Sequence, residues 1–292
     1  MRLEKTHLAG RAHLAEITAL LRGIRLSDRF AGLYEAADAQ WWWRQDDASD
    51  PRRQQFWRTG RTTVAALLLY DEGGTWTCDF VHLPSLPAPM METLRSDILR
   101  TLSEIPEPAT LTVREDDAAL RTALVRHGWR QTGLSTVQTV LEAAPKAAAV
   151  LPEGFQFETR AAASGRPHPM TRQNRNPADV EERFAACSLY RPDLDYAVVH
   201  LSGAAVAYAL FWADPITHVG LIEPLRTEEA YQRRGIGSAL VQEGVRRLRQ
   251  AKAETIKVSY REDNPAARGL YHKCGFRDRF HKLEYRKRAG AG

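Results

Sequence analysis

At 292 residues, 43% hydrophobic and 26% charged, the chain has the composition of a globular protein and room for two domains of ordinary size. No run approaches the apolar length that spans a bilayer and charge interrupts the first thirty residues, so the expectation is a cytoplasmic protein without a membrane partner. The net charge of +5 comes from 41 basic residues mixed with 36 acidic ones, which describes a solvated surface rather than a nucleic-acid footprint, and Cys78, Cys187 and Cys274 are too scattered to frame disulfides or a zinc site.

The first predicted feature is aromatic: Trp41, Trp42 and Trp43 in succession read as packing residues rather than a stacking platform. "TTVAALLLYDEGGTWTCDFVHL" then predicts a hairpin turning at residues 71–74. "METLRSDILRTL" predicts a helix, "ATLTV" a strand, "DDAALRTALVRHG" a helix and "STVQTVLE" a strand. Residues 141–154, "LEAAPKAAAVLPEG", lack either period and mark a junction, with a first domain over 1–145, a linker over 146–154 and a second domain over 155–288. Residues 161–179 read as a long mobile loop, in which His168 is taken as a surface histidine. Beyond it come a helix over "DVEERFAACSLY", strands "YAVVHL", "AVAYALFWAD" and "HVGLIEPLRT", and an amphipathic helix in "YQRRGIGSALVQEGVRRLRQAKA". "TIKVSY" reads as a strand, "NPAARGLYHKCG" as a short helix and "HKLEYRK" as the last strand. Strands alternating with helices on a mixed sheet make this an α/β arrangement.

The chain repeats itself. "REDDAALRTALVRHGW" starts at Arg114 and "REDNPAARGLYHKCGF" at Arg261, 147 residues later, and the faint order of elements in the first half follows that of the second. The copies differ where it counts: Leu124 stands in the place of Tyr271.

Residues 232–237, "QRRGIG", lie between a strand and a helix. Backbone N–H groups at a helix start have no intrahelical partner, and glycines let an anion approach them, so this is a phosphate cradle to which Arg233 and Arg234 add charge. The pattern Q-x-x-G-x-G after a Pro-bearing strand, with "NPAARGLYHKCGF" about thirty residues on, resembles the GNAT (GCN5-related) N-acetyltransferase superfamily. The doubling resembles its tandem members, of the mycothiol synthase type. The resemblance implies two tandem GNAT-like domains, each a mixed, mainly antiparallel sheet flanked by helices. It also implies acetyl-CoA as cosubstrate, with Gln232 and Arg233 at the loop and the amides of Arg234, Gly235, Ile236, Gly237 and Ser238 on the pyrophosphate. The pantetheine arm would run along the backbone at Leu225 and Thr227, and Asn264 and Tyr271 would lie by the thioester.

The gap-free counterpart of the cradle in the first half is residues 85–90, "SLPAPM", where Pro87 and Pro89 lack N–H groups and no glycine admits a phosphate. One active site is therefore expected, in the second half.

Transfer to an amine calls for a base, and Glu223, two residues before Leu225, is the best-placed carboxylate, ahead of Glu228 and Glu229. Tyr271 is the candidate acid for the departing thiolate. His272 and Cys274 flank it but point in other directions on a helix, which argues against a Cys/His nucleophile pair. The expected function is acetyl transfer from acetyl-CoA to a primary amine of a small-molecule or peptide acceptor. The alternative is a non-catalytic acyl-CoA-binding regulatory or interaction module. Oligomeric state is not written in the sequence.

Overall fold

A computed structural model describes residues 3–43, 54–72, 74–143, 149–163, 165–176 and 179–287. The chain resolves into two compact units, one of residues 1–137 with 280–292 and one of residues 138–279. Of the expected linker, residues 146–148 lie outside the described residues.

Unit 1 begins with strand β1 (Glu4–His7), helices α1 (Gly10–Ser27) and α2 (Ala36–Trp42) and strands β2 (Gln55–Thr59), β3 (Thr62–Glu72) and β4 (Thr75–His82). Helix α3 (Ala88–Glu104), strand β5 (Ala109–Arg114), helix α4 (Ala118–Arg126) and strand β6 (Trp129–Leu141) follow. Unit 2 holds strands β7 (Phe155–Thr159), β8 (Asp195–His200), β9 (Ala205–Asp214), β10 (Val219–Thr227) and β11 (Thr255–Arg261), with helices α5 (Val180–Ala185), α6 (Ile236–Gln250) and α7 (Pro265–Lys273). The last strand, β12 (Phe276–Lys287), starts in unit 2, and from Phe280 its residues belong to unit 1.

In unit 1 the strand order is β1-β2-β3-β4-β5-β12-β6. The β4–β5 pair is parallel, while β1–β2, β2–β3, β3–β4 and β5–β12 are antiparallel. Trp57, Leu67, Leu94, Ile98, Leu111, Trp129 and Tyr285 lie in its core. In unit 2 the order is β11-β10-β9-β8-β7, with β10–β11 parallel and β9–β10, β8–β9 and β7–β8 antiparallel. The apolar stripe of α6 is buried as its spacing predicts: Ile236, Leu240, Val241, Gly244, Val245 and Leu248 all face inward. Gly244 is required by closeness, since a Cβ there would lie 2.0 Å from the Phe211 ring.

Both units therefore repeat hairpin, helix, strand, helix, strand with a parallel pair in each, β4–β5 and β10–β11, and both are of mixed α/β character. The repeated segment does the same local work in each. Arg114 forks onto Asp116 (2.8 and 2.6 Å) and Arg261 onto Asp263 (3.0 and 2.6 Å), closing the turn after the strand. Asp117 then accepts from the Leu120 amide and Asn264 from the Ala267 amide, each at 3.0 Å, capping the helix that follows.

Several expectations change. His168 is buried, not on the surface: its Nδ1 accepts from the Met170 amide (3.1 Å) and its Nε2 donates to Asp195 (2.8 Å), whose carboxylate also accepts from the Tyr190 hydroxyl (2.8 Å). That anchor ties residues 161–179, expected as an irregular loop, to β8, and the segment carries a 3-10 turn over Pro169–Asn174. The helix predicted after it is short, Val180–Ala185, because the chain leaves it through Cys187 and reaches Pro192. The last strand begins at Phe276, earlier than predicted. Trp43 is buried, and Trp42 packs edge-on against Tyr34, 4.7 Å between centroids, in keeping with a packing role. All three cysteines are buried free thiols.

Candidate functional site

The predicted site residues lie in unit 2, around the place where its sheet opens. β10 pairs with β11 only from Val219 to Leu221, and beyond that the two strands separate. On its other side β10 changes register with β9 between Ile222 and Leu225, which throws Glu223 and Pro224 out of the ladder across a cis peptide. The Glu223 carbonyl is not left bare: the buried Trp212 indole N–H donates to it at 2.6 Å. No sequence signal pointed to Trp212, whose partner is eleven residues away on the neighbouring strand.

The chain crosses from β10 to α6 through a tight loop. Gln232 donates through its side chain to the Thr227 carbonyl (3.1 Å), Arg233 takes φ +59° and Gly235 φ +83°. The glycine meets a left-handed requirement at no steric cost; Arg233 meets it at a cost of about 1–2 kcal/mol. After this turn the amides of Arg234, Gly235, Ile236, Gly237 and Ser238 have no acceptor among the described residues. They stand at the positive end of a 15-residue helix. A Cβ at Gly235 would meet nothing within 4 Å, so the space before the cradle is open, whereas one at Gly237 would lie 3.4 Å from Thr227 Oγ1 and 3.5 Å from Leu270. Arg234 rests over the Tyr231 ring, 5.2 Å from its centroid. An anion with extended oxygens fits this set of donors, and a pyrophosphate is such a group.

Tyr271 is buried, with its ring 6.3 Å from Tyr260 and 6.0 Å from Phe276. Burial, then the nearby Glu223 carboxylate and the Cys274 thiol, push its phenol well above the ordinary value, so at neutral pH it keeps its proton and can donate it. The structure thus brings Glu223 and Tyr271 into electrostatic range of each other. Asn264 caps α7 through its Oδ1.

Other candidates are committed elsewhere. Glu228 takes an ion pair from Arg175 (2.6 Å) with Arg226 at 3.8 Å. The Cys274 sulfur lies 3.7 Å from Ser238 Oγ, and burial raises its pKa, while His272 turns to Asp278 at 2.7 Å. The two do not pair, as the helical geometry predicts.

Residues 162–276 match the model of the Acetyltransferase (GNAT) family. That match falls within unit 2 and takes in the loop before α6 together with α7. Among solved structures, a GCN5-related N-acetyltransferase from Sphaerobacter thermophilus is similar at 16% identity, covering 98% of this chain and 95% of that one, with a TM-score of 0.61. A tandem GNAT protein from the clavulanic acid biosynthesis pathway is similar at 16% identity over 100% of both chains, TM-score 0.66. A GNAT-family acetyltransferase from Colwellia psychrerythraea is 12% identical over 99% and 100%, TM-score 0.62. At these identities the likeness is one of fold, and it is a tandem GNAT fold over the length of the chain. No curated protein matches. Among the described residues no helix is long and apolar enough to cross a membrane, and no cluster of side chains could hold a metal ion.

Proposed function

We propose that the GNAT domain of unit 2 moves the acetyl group of acetyl-CoA to a primary amine by direct attack of the amine on the thioester. The observation that supports this most is the run of acceptor-free amides from Arg234 to Ser238, beside a strand bent out of register at Glu223 and Pro224. Acetyl-CoA supplies an acetyl group already activated as a thioester. The amides, with Arg233 and Arg234 at the mouth, hold its pyrophosphate, and Gln232 keeps the loop in place through Thr227. The backbone of Leu225 and Thr227 receives the pantetheine arm. Asn264 caps with its oxygen and keeps its NH2 to donate near the thioester.

An alkyl ammonium with a pKa of about 10.4 is neutral in roughly one molecule per thousand at pH 7, so the acceptor must lose a proton before it attacks. Glu223 takes that proton, directly or through water. Tyr271, held as a phenol by burial, gives one to the departing sulfur. The acceptor is a small-molecule or peptide amine.

Calorimetric titration with acetyl-CoA, coupled to a thiol-release assay over a panel of amines, tests the reading. One site per chain and release of CoA with an amine are expected. Absence of binding would sink the proposal, and binding without transfer to any amine would leave an acyl-CoA-binding module in its place.

A further inference from the structure

Unit 1 opens its sheet at the same point as unit 2. The parallel pairing of β4 with β5 ends at Asp79 and Thr112, and the strands beyond border a cavity of about 460 Å³. The loop joining α1 to α2 closes one side. Arg114 Nη1 donates to the carbonyls of Phe30 (2.6 Å) and Gly32 (3.2 Å), and the buried Arg25–Glu35 ion pair (2.6 Å) holds the segment that leads into α2. Leu33, Phe80, Met91 and Leu120 give the lining an apolar side.

Two polar side chains in that lining have unused capacity. Arg95 pairs with no carboxylate among the described residues, and its Nε is buried without an acceptor. His82 donates from Nδ1 to the Leu83 carbonyl at 2.9 Å, which leaves its Nε2 for another partner. The acids that share the lining are already engaged. Asp28 accepts from the amides of Phe30 (2.8 Å) and Ala31 (3.2 Å), Asp116 from Arg114, and Asp117 from Leu120.

We propose that this cavity is a second small-molecule site, distinct in chemistry from the one in unit 2, which takes a carboxylate with an apolar body and binds its oxygens through Arg95. A buried guanidinium nitrogen without an acceptor is costly, and a carboxylate is the planar anion its fork fits. The cavity falls within the range of small-ligand pockets. A nucleotide does not suit it: Pro89 has no N–H, the Met90 amide is spent on the Pro87 carbonyl (3.0 Å), and α3 therefore begins without a phosphate cradle.

The test titrates the full chain with butyrate, hexanoate, phenylacetate, indoleacetate and the neutral phenylacetamide, read by calorimetry and by protein NMR. Saturable binding of at least one of the acids, at one site per chain, is expected, with none for phenylacetamide. Arg95→Met should weaken it about tenfold or more and Arg95→Lys should restore part of it, while acetyl-CoA affinity stays as in the parent. Met91→Trp, which fills the cavity without altering charge, should block it as well. The proposal fails if none of the acids binds saturably, if the amide binds as well as its acid, if Arg95→Met retains full affinity with its acetyl-CoA binding intact, or if acetyl-CoA displaces the acid.

Discussion

The two units share their scaffold and differ at the mouth of one cleft. In unit 1 the β3–β4 ladder runs in unbroken register from Ala65–His82 to Glu72–Thr75, and the helix after it opens on Pro87. In unit 2 the corresponding ladder breaks at Glu223 and Pro224 and the helix opens on Gly235, with its first amides free. Where unit 2 buries the Tyr271 phenol, unit 1 buries the apolar side chain of Leu124. The repeated Arg-Asp fork and helix cap, by contrast, are kept in both. A duplicated fold can therefore retain every contact that closes a turn while losing those that only a ligand would use.

The largest expected effect is on that last difference. Tyr271→Phe should lower turnover by about 10²- to 10⁴-fold with acetyl-CoA affinity little changed, measured by steady-state kinetics; an unaltered rate would remove the phenol from proton transfer. Gly235→Asp puts a negative charge in front of the free amides and a side chain at φ +83°, and should abolish acetyl-CoA binding by calorimetry. The parallel change Pro89→Gly in unit 1 should leave the stoichiometry at one, since Met90 remains bonded to Pro87; a second site appearing would mean that one proline alone separates the halves.

Acid should also tell the units apart. His13, buried in α1 beside Phe56 with its Nδ1 unsatisfied, has its pKa brought down from 6.5 to about 4 by desolvation. The folded state holds the neutral ring, so this contribution is complete above about pH 6.5 and is lost as the pH falls towards 4. The loss amounts to roughly 3 kcal/mol. Urea unfolding should show that slope for unit 1 in the parent, and His13→Leu should flatten it; an identical profile in the variant would remove His13 as the cause. The smallest effect concerns the caps. Asp117→Ala and Asn264→Ala should each cost about 1 kcal/mol of stability. If only the second also slows acetyl transfer, its amide has a use beyond capping.

What the sequence made legible follows from where the forces are local. The α6 stripe, the glycine turn before it and the repeated fork are all set by residues within a helical turn or two of one another, and they stand where their spacing placed them. The first sixty residues offered no element to read, although β1, α1, α2 and β2 lie there. The buried face of α1 includes His13, Thr18 and Arg25, polar residues that blur its period, and Arg25 is admitted only because Glu35 meets it from the next segment. His168 was misjudged for the same reason, since its burial depends on Asp195 and Tyr190. Trp212 carries no motif, yet it fixes the carbonyl at the break in β10. The sequence pattern placed Glu223 on a strand and Tyr271 on a later helix, and only the fold brings the carboxylate within electrostatic range of the phenol.

The split of β12 has a consequence for how the protein is made. Residues from Phe280 onward pair with β5, from Lys282 opposite Arg114 to Arg286 opposite Thr110, and Tyr285 enters the core of unit 1. The half that emerges first from the ribosome is thus completed only by a strand made after β7 to β11 of the other half. Until β12 is released, β5 carries an open edge of unsatisfied backbone, while β7 to β11 of unit 2 are already made.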